Sequence, residues 1–168
     1  MTTAFAIGLL AMPNAALGQT PDWQTLTVPE LSFSVELPGE PLSRENNMDP
    51  PTLLALTDYV IGLGDGFVLI SVLRFKPEVR EANTEEQLLR YAIDSYLGDC
   101  GANQSETPVT VPRGTGMETV RACDGATFKT DYVLAGDRLY RLSVGGPGDI
   151  SESPDAERIF ASFEVLAQ

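Results

Sequence analysis

Hydrophobic and polar positions alternate along this chain in two rhythms. A period of two runs through most of it, and a period of three to four is confined to two stretches. Phe33, Val35 and Leu37 point one way and Ser32, Ser34 and Glu36 the other, which predicts a strand over 31–37. Pro38-Gly39 ends it, and residues 40–51 read as a polar loop. A shorter strand is predicted over 23–28. Residues 52–61 and 67–75 read as two strands of a hairpin, joined by the Gly-rich turn 62–66. The run 67–73 is apolar on both faces, which marks a central strand covered on both sides.

The helical rhythm comes at Leu88, Leu89, Ala92, Ile93, Tyr96 and Leu97. Asn83 with Glu86, or Thr84 with Gln87, has the spacing of a capping box at its start. Gly98 and Gly101 close it. Turns at Arg113-Gly114, Asp124-Gly125 and Gly136-Asp137 then separate strands over 107–112, 117–123, 127–134 and 138–144, an antiparallel meander. Phe128, Thr130, Tyr132 and Leu134 share one face of the third strand. Ser153 as N-cap and Pro154 at the first helical position open a last helix, with Ile159, Phe160 and Phe163 on its buried side. The fold class is therefore α+β, an antiparallel β-sheet covered by helices in an α/β/α sandwich.

Three segments in this order resemble the PsbP-like fold family, small exported bacterial relatives of the extrinsic PsbP subunit of photosystem II. Phe33-Ser-Val-Glu-Leu-Pro-Gly-Glu-Pro41 is similar to the family's first strand and turn. Gly136-Asp-Arg-Leu-Tyr-Arg-Leu-Ser-Val144 is similar to its last strand, and Ser153-Pro-Asp-Ala-Glu-Arg-Ile-Phe-Ala-Ser-Phe163 to its closing helix. The resemblance implies a non-catalytic accessory or docking module. It does not imply a role in photosynthesis, because no metal-binding His can be carried over to a chain without His.

Composition adds an address. The first eighteen residues carry no charge, and 4–12 is an apolar run of signal-peptide length. Ala16-Leu17-Gly18 supplies small residues at the −3 and −1 positions of a cleavage site. The expectation is a signal peptide over 1–18 and one PsbP-like domain over 19–168, in a periplasmic or secreted location. No Lys or Arg precedes the apolar run, so either the start lies upstream or the signal is atypical. The run is too short to span a bilayer, and no Cys near the cleavage site offers a lipid anchor. The net charge of −13 argues against nucleic acid and against an anionic membrane surface. Two cysteines in an exported chain read as one structural disulfide, Cys100 to Cys123. A redox pair is the alternative, but the spacing is not Cys-x-x-Cys.

The available chemistry is narrow. Without His there is no Ser-His-Asp or Cys-His arrangement. Ser-Lys catalysis would need a buried lysine, and the two lysines are Lys76 and Lys129. Lys129 alternates with Phe128 and Thr130, so it reads as solvent-facing. Residues 145–148 read as a turn rather than a phosphate cradle, because Asp149, Glu152 and Asp155 crowd the same place. Those acids suit the helix N-terminal dipole, or a weak Ca²⁺ site without EF-hand spacing. Asn103-Gln104-Ser105 fits a glycosylation sequon but carries no functional reading. The leading expectation is a non-catalytic exported accessory protein with a protein partner, no cofactor and no catalytic residue. The alternatives are a cell-envelope hydrolase using paired carboxylates and a weak divalent-cation binder. A shallow apolar patch with a polar rim would favour the partner-binding module. A deep pocket with two facing carboxylates would favour the hydrolase, and converging acids the cation.

Overall fold

The computed structural model describes residues 22–46, 52–96 and 104–167. The signal peptide expected over 1–18 lies outside them, as do Cys100 and the helix-closing Gly98 and Gly101. Among the described residues there are ten strands, in two sheets, and three α-helices. Strands β1 (Gln24–Val28), β2 (Phe33–Leu37) and β10 (Glu164–Val165) make a three-stranded sheet in the order β1-β2-β10. The larger sheet has seven antiparallel strands. These are β3 (Leu42–Glu45), β4 (Leu53–Leu63), β5 (Gly66–Phe75), β6 (Ser105–Val111), β7 (Gly114–Cys123), β8 (Ala126–Ala135) and β9 (Arg138–Pro147). Their order is β3-β4-β5-β9-β8-β7-β6. The doubly apolar β5 is therefore internal, as its pattern requires.

One face of the large sheet carries helix α2 (Glu85–Ser95). The other carries helix α3 (Pro154–Ser162) and the small sheet. The α3 face holds the larger core. Phe33, Val35 and Leu37 of β2 meet Val68, Ile70, Val72, Tyr140, Leu142 and Val144, with Ala156 and Ile159 from α3. Phe33, Tyr140 and Phe163 form a ring cluster with centroids 5.8 to 6.2 Å apart. The Tyr140 hydroxyl donates to the Leu31 carbonyl at 2.8 Å, so its polar end is satisfied inside the core. Ser153 caps α3, its Oγ accepting from Ala156 N–H at 3.2 Å.

Several details depart from the sequence pattern. The strand expected from residue 31 starts at Phe33, because Pro29–Leu31 form a 3-10 turn and Ser32 takes a left-handed conformation at φ 56°. The polar loop over 40–51 contains β3, which pairs along β4 from Leu42 opposite Val60 to Glu45 opposite Thr57. Its four residues are all exposed, so no alternation marks it. A short helix, α1 (Pro77–Ala82), precedes α2. The turn expected at Arg113-Gly114 sits one residue earlier, with Arg113 at φ 69°. The stretch read as a turn over 145–148 continues β9 to Pro147, and only Gly148 and Asp149 turn. Glycine is required there by contact. A Cβ on Gly145 would lie 2.3 Å from the Phe128 ring, and one on Gly146 would lie 2.7 Å from the Gly66 Cα.

Candidate functional site

Helix α2 is fixed at its start by a full capping box. Thr84 Oγ1 accepts from Gln87 N–H at 3.2 Å, and Gln87 Oε1 accepts from Thr84 N–H at 2.8 Å. Of the two caps the spacing allowed, the chain uses Thr84. Leu88, Leu89, Ala92 and Ile93 then face the sheet and pack on Phe75, Tyr132, Leu134 and Leu139. One helix cannot cover seven strands, and space remains along both of its flanks.

On the β6–β7 flank lies a groove of about 430 Å³. Leu89, Ile93, Pro108 and Met117 give it an apolar lining, and Glu85, Glu86 and Arg90 a charged rim. The rim is braced. Arg80 and Thr115 each donate to Glu85 at 3.1 Å. Arg90 donates to both oxygens of Glu106 at 3.0 and 2.9 Å, tying the helix to the edge strand β6. Exposed pairs of this kind add little stability, but the forked Arg90 geometry fixes orientation.

On the β4–β5 flank lies a smaller cavity of about 100 Å³, lined by Leu53, Leu73, Phe75, Leu139, Tyr132, Tyr91, Ser95 and Arg141 among others. Arg141 stands in a cross-strand polar row. Asp58, Ser71, Arg141 and Tyr132 are register partners across β4, β5, β9 and β8. Arg141 Nη2 donates to Ser71 Oγ at 2.8 Å, and Ser71 donates to Asp58 at 2.6 Å. The guanidinium lies 3.8 Å from the centre of the Tyr96 ring, a cation–π contact. Its Nε is buried without a hydrogen-bond partner. The next row is also polar: Thr130 and Ser143 share a bond at 2.8 Å, and the Tyr96 hydroxyl reaches Ser143 at 3.4 Å. Burial pushes the Tyr132 phenol well above its usual range, so it stays a neutral donor.

The opposite face holds a carboxylate pair. Glu118 and Asp131 are direct partners across β7 and β8. Lys129 pairs with Glu118 at 2.9 Å and lies 5.1 Å from the centre of the Phe160 ring. The expectation that Lys129 faces solvent is thus corrected: it sits beneath α3, about a quarter exposed. Burial, and then the Glu118 charge, push the Asp131 carboxyl up to about 7, with Lys129 pulling the other way. Alternation along the strands turns both acids away from the face that carries the groove and the cavity.

The acids near α3 do not gather. Asp149, Glu152 and Asp155 are all exposed. Among the described residues, no three Asp, Glu or Cys side chains come together as a metal site would need. Cys123 ends β7 and is not a free thiol. The polar row around Arg141 went unread in the sequence. Its one signal is a charged residue inside the mainly apolar run Leu139-Tyr140-Arg141-Leu142.

No protein-family model matches this chain, and no curated protein does. A solved structure does. The cyanobacterial PsbP (CyanoP) of Synechocystis sp. PCC 6803 superposes with a TM-score of 0.58 at 10% identity, covering 94% of this chain and 99% of that one. The fold is PsbP-like. A crystal structure from Bacteroides thetaiotaomicron VPI-5482 matches at 14% identity with a TM-score of 0.41, over 82% of this chain and 46% of that one. That second likeness is too slight to carry an argument. With the PsbP-like fold established, the α/β/α layering and the order strand, hairpin, helix, meander, helix stand as read. Among the described residues no helix is long and apolar enough to cross a membrane.

Proposed function

We propose that this chain is an exported, non-catalytic accessory module that binds a protein partner in the groove between α2 and the β6–β7 hairpin. The observation that carries this reading is the make-up of the groove, an apolar lining of Leu89, Ile93, Pro108 and Met117 inside a charged rim. That is the anatomy of a protein contact, with an apolar centre and a polar border. Glu85 and Glu86 at the rim, and a net charge of −13, favour an amphipathic partner segment with basic residues. The likeness to cyanobacterial PsbP supports the fold on which this rests. The hydrolase alternative named no pair; the carboxylates that the register sets opposite one another, Glu118 and Asp131, lie on the other face, with Lys129 bonded to Glu118.

The same reading includes residues 1–18 as a cleaved signal, 19–168 as one domain, and a Cys100–Cys123 bridge. An oxidising compartment would keep that bridge closed. Photo-crosslinking residues at positions 108 and 117 of the exported protein test the partner. They should trap one and the same protein, a control at Glu157 should not, and Met117→Asp should abolish the product made from position 108. Equal trapping from all three positions, or none from the groove, defeats the proposal. N-terminal sequencing of the exported protein tests the signal, and a retained Met1 ends that claim.

A further inference from the structure

Resting on the groove reading above, we propose that the occupant of that groove is an amphipathic α-helix with two basic residues about two turns apart on the same face as its apolar anchors. Backbone chemistry argues against an extended occupant. β6 is an outer strand of the large sheet, and Pro108 stands at its centre. A segment joining as a further strand needs a row of backbone donors and acceptors along that edge, and proline has no N–H to give. Volume points the same way. A helix with its side chains is about 10–12 Å across, so two turns fill roughly 1,000 Å³. A groove of about 430 Å³ therefore takes one stripe of side chains and leaves the helix backbone over its mouth.

Charge sets the pattern of that stripe. Glu86, Arg90 and Asp94 stand at successive turns of α2 on one side of the helix, and the first two line the groove. Arg90 is committed to Glu106, whose two oxygens accept from it at 3.0 and 2.9 Å. Glu86 and Asp94 are exposed, and among the described residues neither has a hydrogen bond or ion pair. The charge of each reaches Arg90. The side of α2 that faces a partner thus offers two uncommitted carboxylates, about 12 Å apart along the helix, with a neutralised pair between them. Leu89 and Ile93 of α2, and Met117 across the groove, supply the apolar middle. A helix laid along α2 meets this with a basic residue at either end of two turns and apolar side chains between. A second copy of this chain, with its net charge of −13, is a poor complement.

An Ala-based peptide of about sixteen residues, with Lys at i and i+7 and Leu at i+3 and i+4, presents that face and is long enough to form a helix. Titrated into the full chain and followed by amide nitrogen–proton spectra, it should give saturable shifts at Leu89, Ile93 and Met117, and bind more weakly at raised salt. The Glu86→Gln, Asp94→Asn double variant, changed only at exposed positions, should bind it at least about five-fold more weakly. Replacing one central, solvent-facing Ala of the peptide by Pro keeps both anchors and both charges but breaks the helix, and should weaken binding about ten-fold or more. A proline peptide that binds as tightly as its parent, unchanged binding to the double variant, or no saturable shift in the groove would each overturn the basic helical occupant. The photo-crosslinks from positions 108 and 117 separate that failure from a failure of the groove itself. Trapping there without binding of the helical peptide discards the helix alone, and no trapping discards the reading beneath it.

Discussion

The two faces of the large sheet were built to different rules. The centre of the α3 face is apolar, where Phe33, Val35, Leu37, Val68, Tyr140, Val144, Ala156 and Ile159 have no exposure at all, and its charged side chains Glu118, Lys129 and Asp131 lie together on β7 and β8. On the α2 face polar side chains interrupt the apolar ones. Asp58, Ser71 and Arg141 share a row with Tyr132 and Met117, and Ser143, Thr130 and Thr119 share the next with Val60 and Leu69. The first face is sealed by a helix and a second sheet. The second is covered by a single helix with space at both flanks. Under the function proposed above, the difference separates stability from recognition. A dry, close-packed layer holds the sheet rigid, and that rigidity lets the other face keep open space and an incompletely satisfied arginine.

The sharpest way to break this comparison is to attack the sealed face. Phe33→Ala removes a ring packed against Tyr59, Tyr140 and Phe163. Urea unfolding should show a loss of about 3–5 kcal/mol. A loss under about 1 kcal/mol would mean that the α3 face is not the stabilising one.

Next in size is the staple proposed between the faces' edges. The Cys100→Ala, Cys123→Ala double variant should lose about 2–3 kcal/mol, the lower part of the range for small secreted domains. Mass spectrometry of non-reduced peptides should find the bridge in protein from its native compartment. Free thiols there, or an unchanged melting temperature, would reopen the redox alternative.

The third prediction uses the titration of Asp131, on the α3 face. Asp131 binds its proton more tightly when folded, with its carboxyl near 7 instead of the ordinary 3.8. Its contribution to stability is therefore fully present below about pH 4 and is lost as pH rises through about 7. Asp131→Asn removes that titration, and an amide at 131 can donate toward Glu118. From about pH 5.5 to about pH 8 the stability of the variant should gain about 2 kcal/mol on the parent chain. Parallel pH profiles for the two proteins would remove Asp131 as the source.

The smallest effect belongs to the open face. Thr84→Ala deletes half of the capping box and should cost about 1 kcal/mol. Because α2 walls both the groove and the cavity, the variant should also broaden amide signals at Leu89 and Ala92. Sharp, unshifted signals there would show that the helix is held by its packing alone.

The sequence was readable where local chemistry decides the structure. Thr84 with Gln87, Ser153 with Pro154, and the paired turn residues of the meander act through neighbours a few positions away, so spacing reveals them. Alternation in Phe33, Val35 and Leu37 survives because one face of that strand is wholly buried. What stayed hidden depends on distant partners. β3 is a strand only because β4 offers an edge, and none of its own four residues is buried. The third strand of the small sheet exists because Glu164 and Val165 return to Ser34 and Phe33, over a hundred residues away along the chain. Arg141 reads as an ordinary polar position until the register places Ser71 beside it.

The two outer strands of the large sheet carry one more consequence. β6 presents Pro108 in the middle of its free edge, and β3 offers only four residues, two of them Arg44 and Glu45. A strand arriving at β6 meets a position with no N–H to give. One arriving at β3 meets a short, charged rim. Both ends of the sheet thus work as stops against templated growth. Crowded copies of the chain stay dispersed instead of stacking into fibres through this sheet, and whatever docks on the large sheet must come by way of a face rather than an edge.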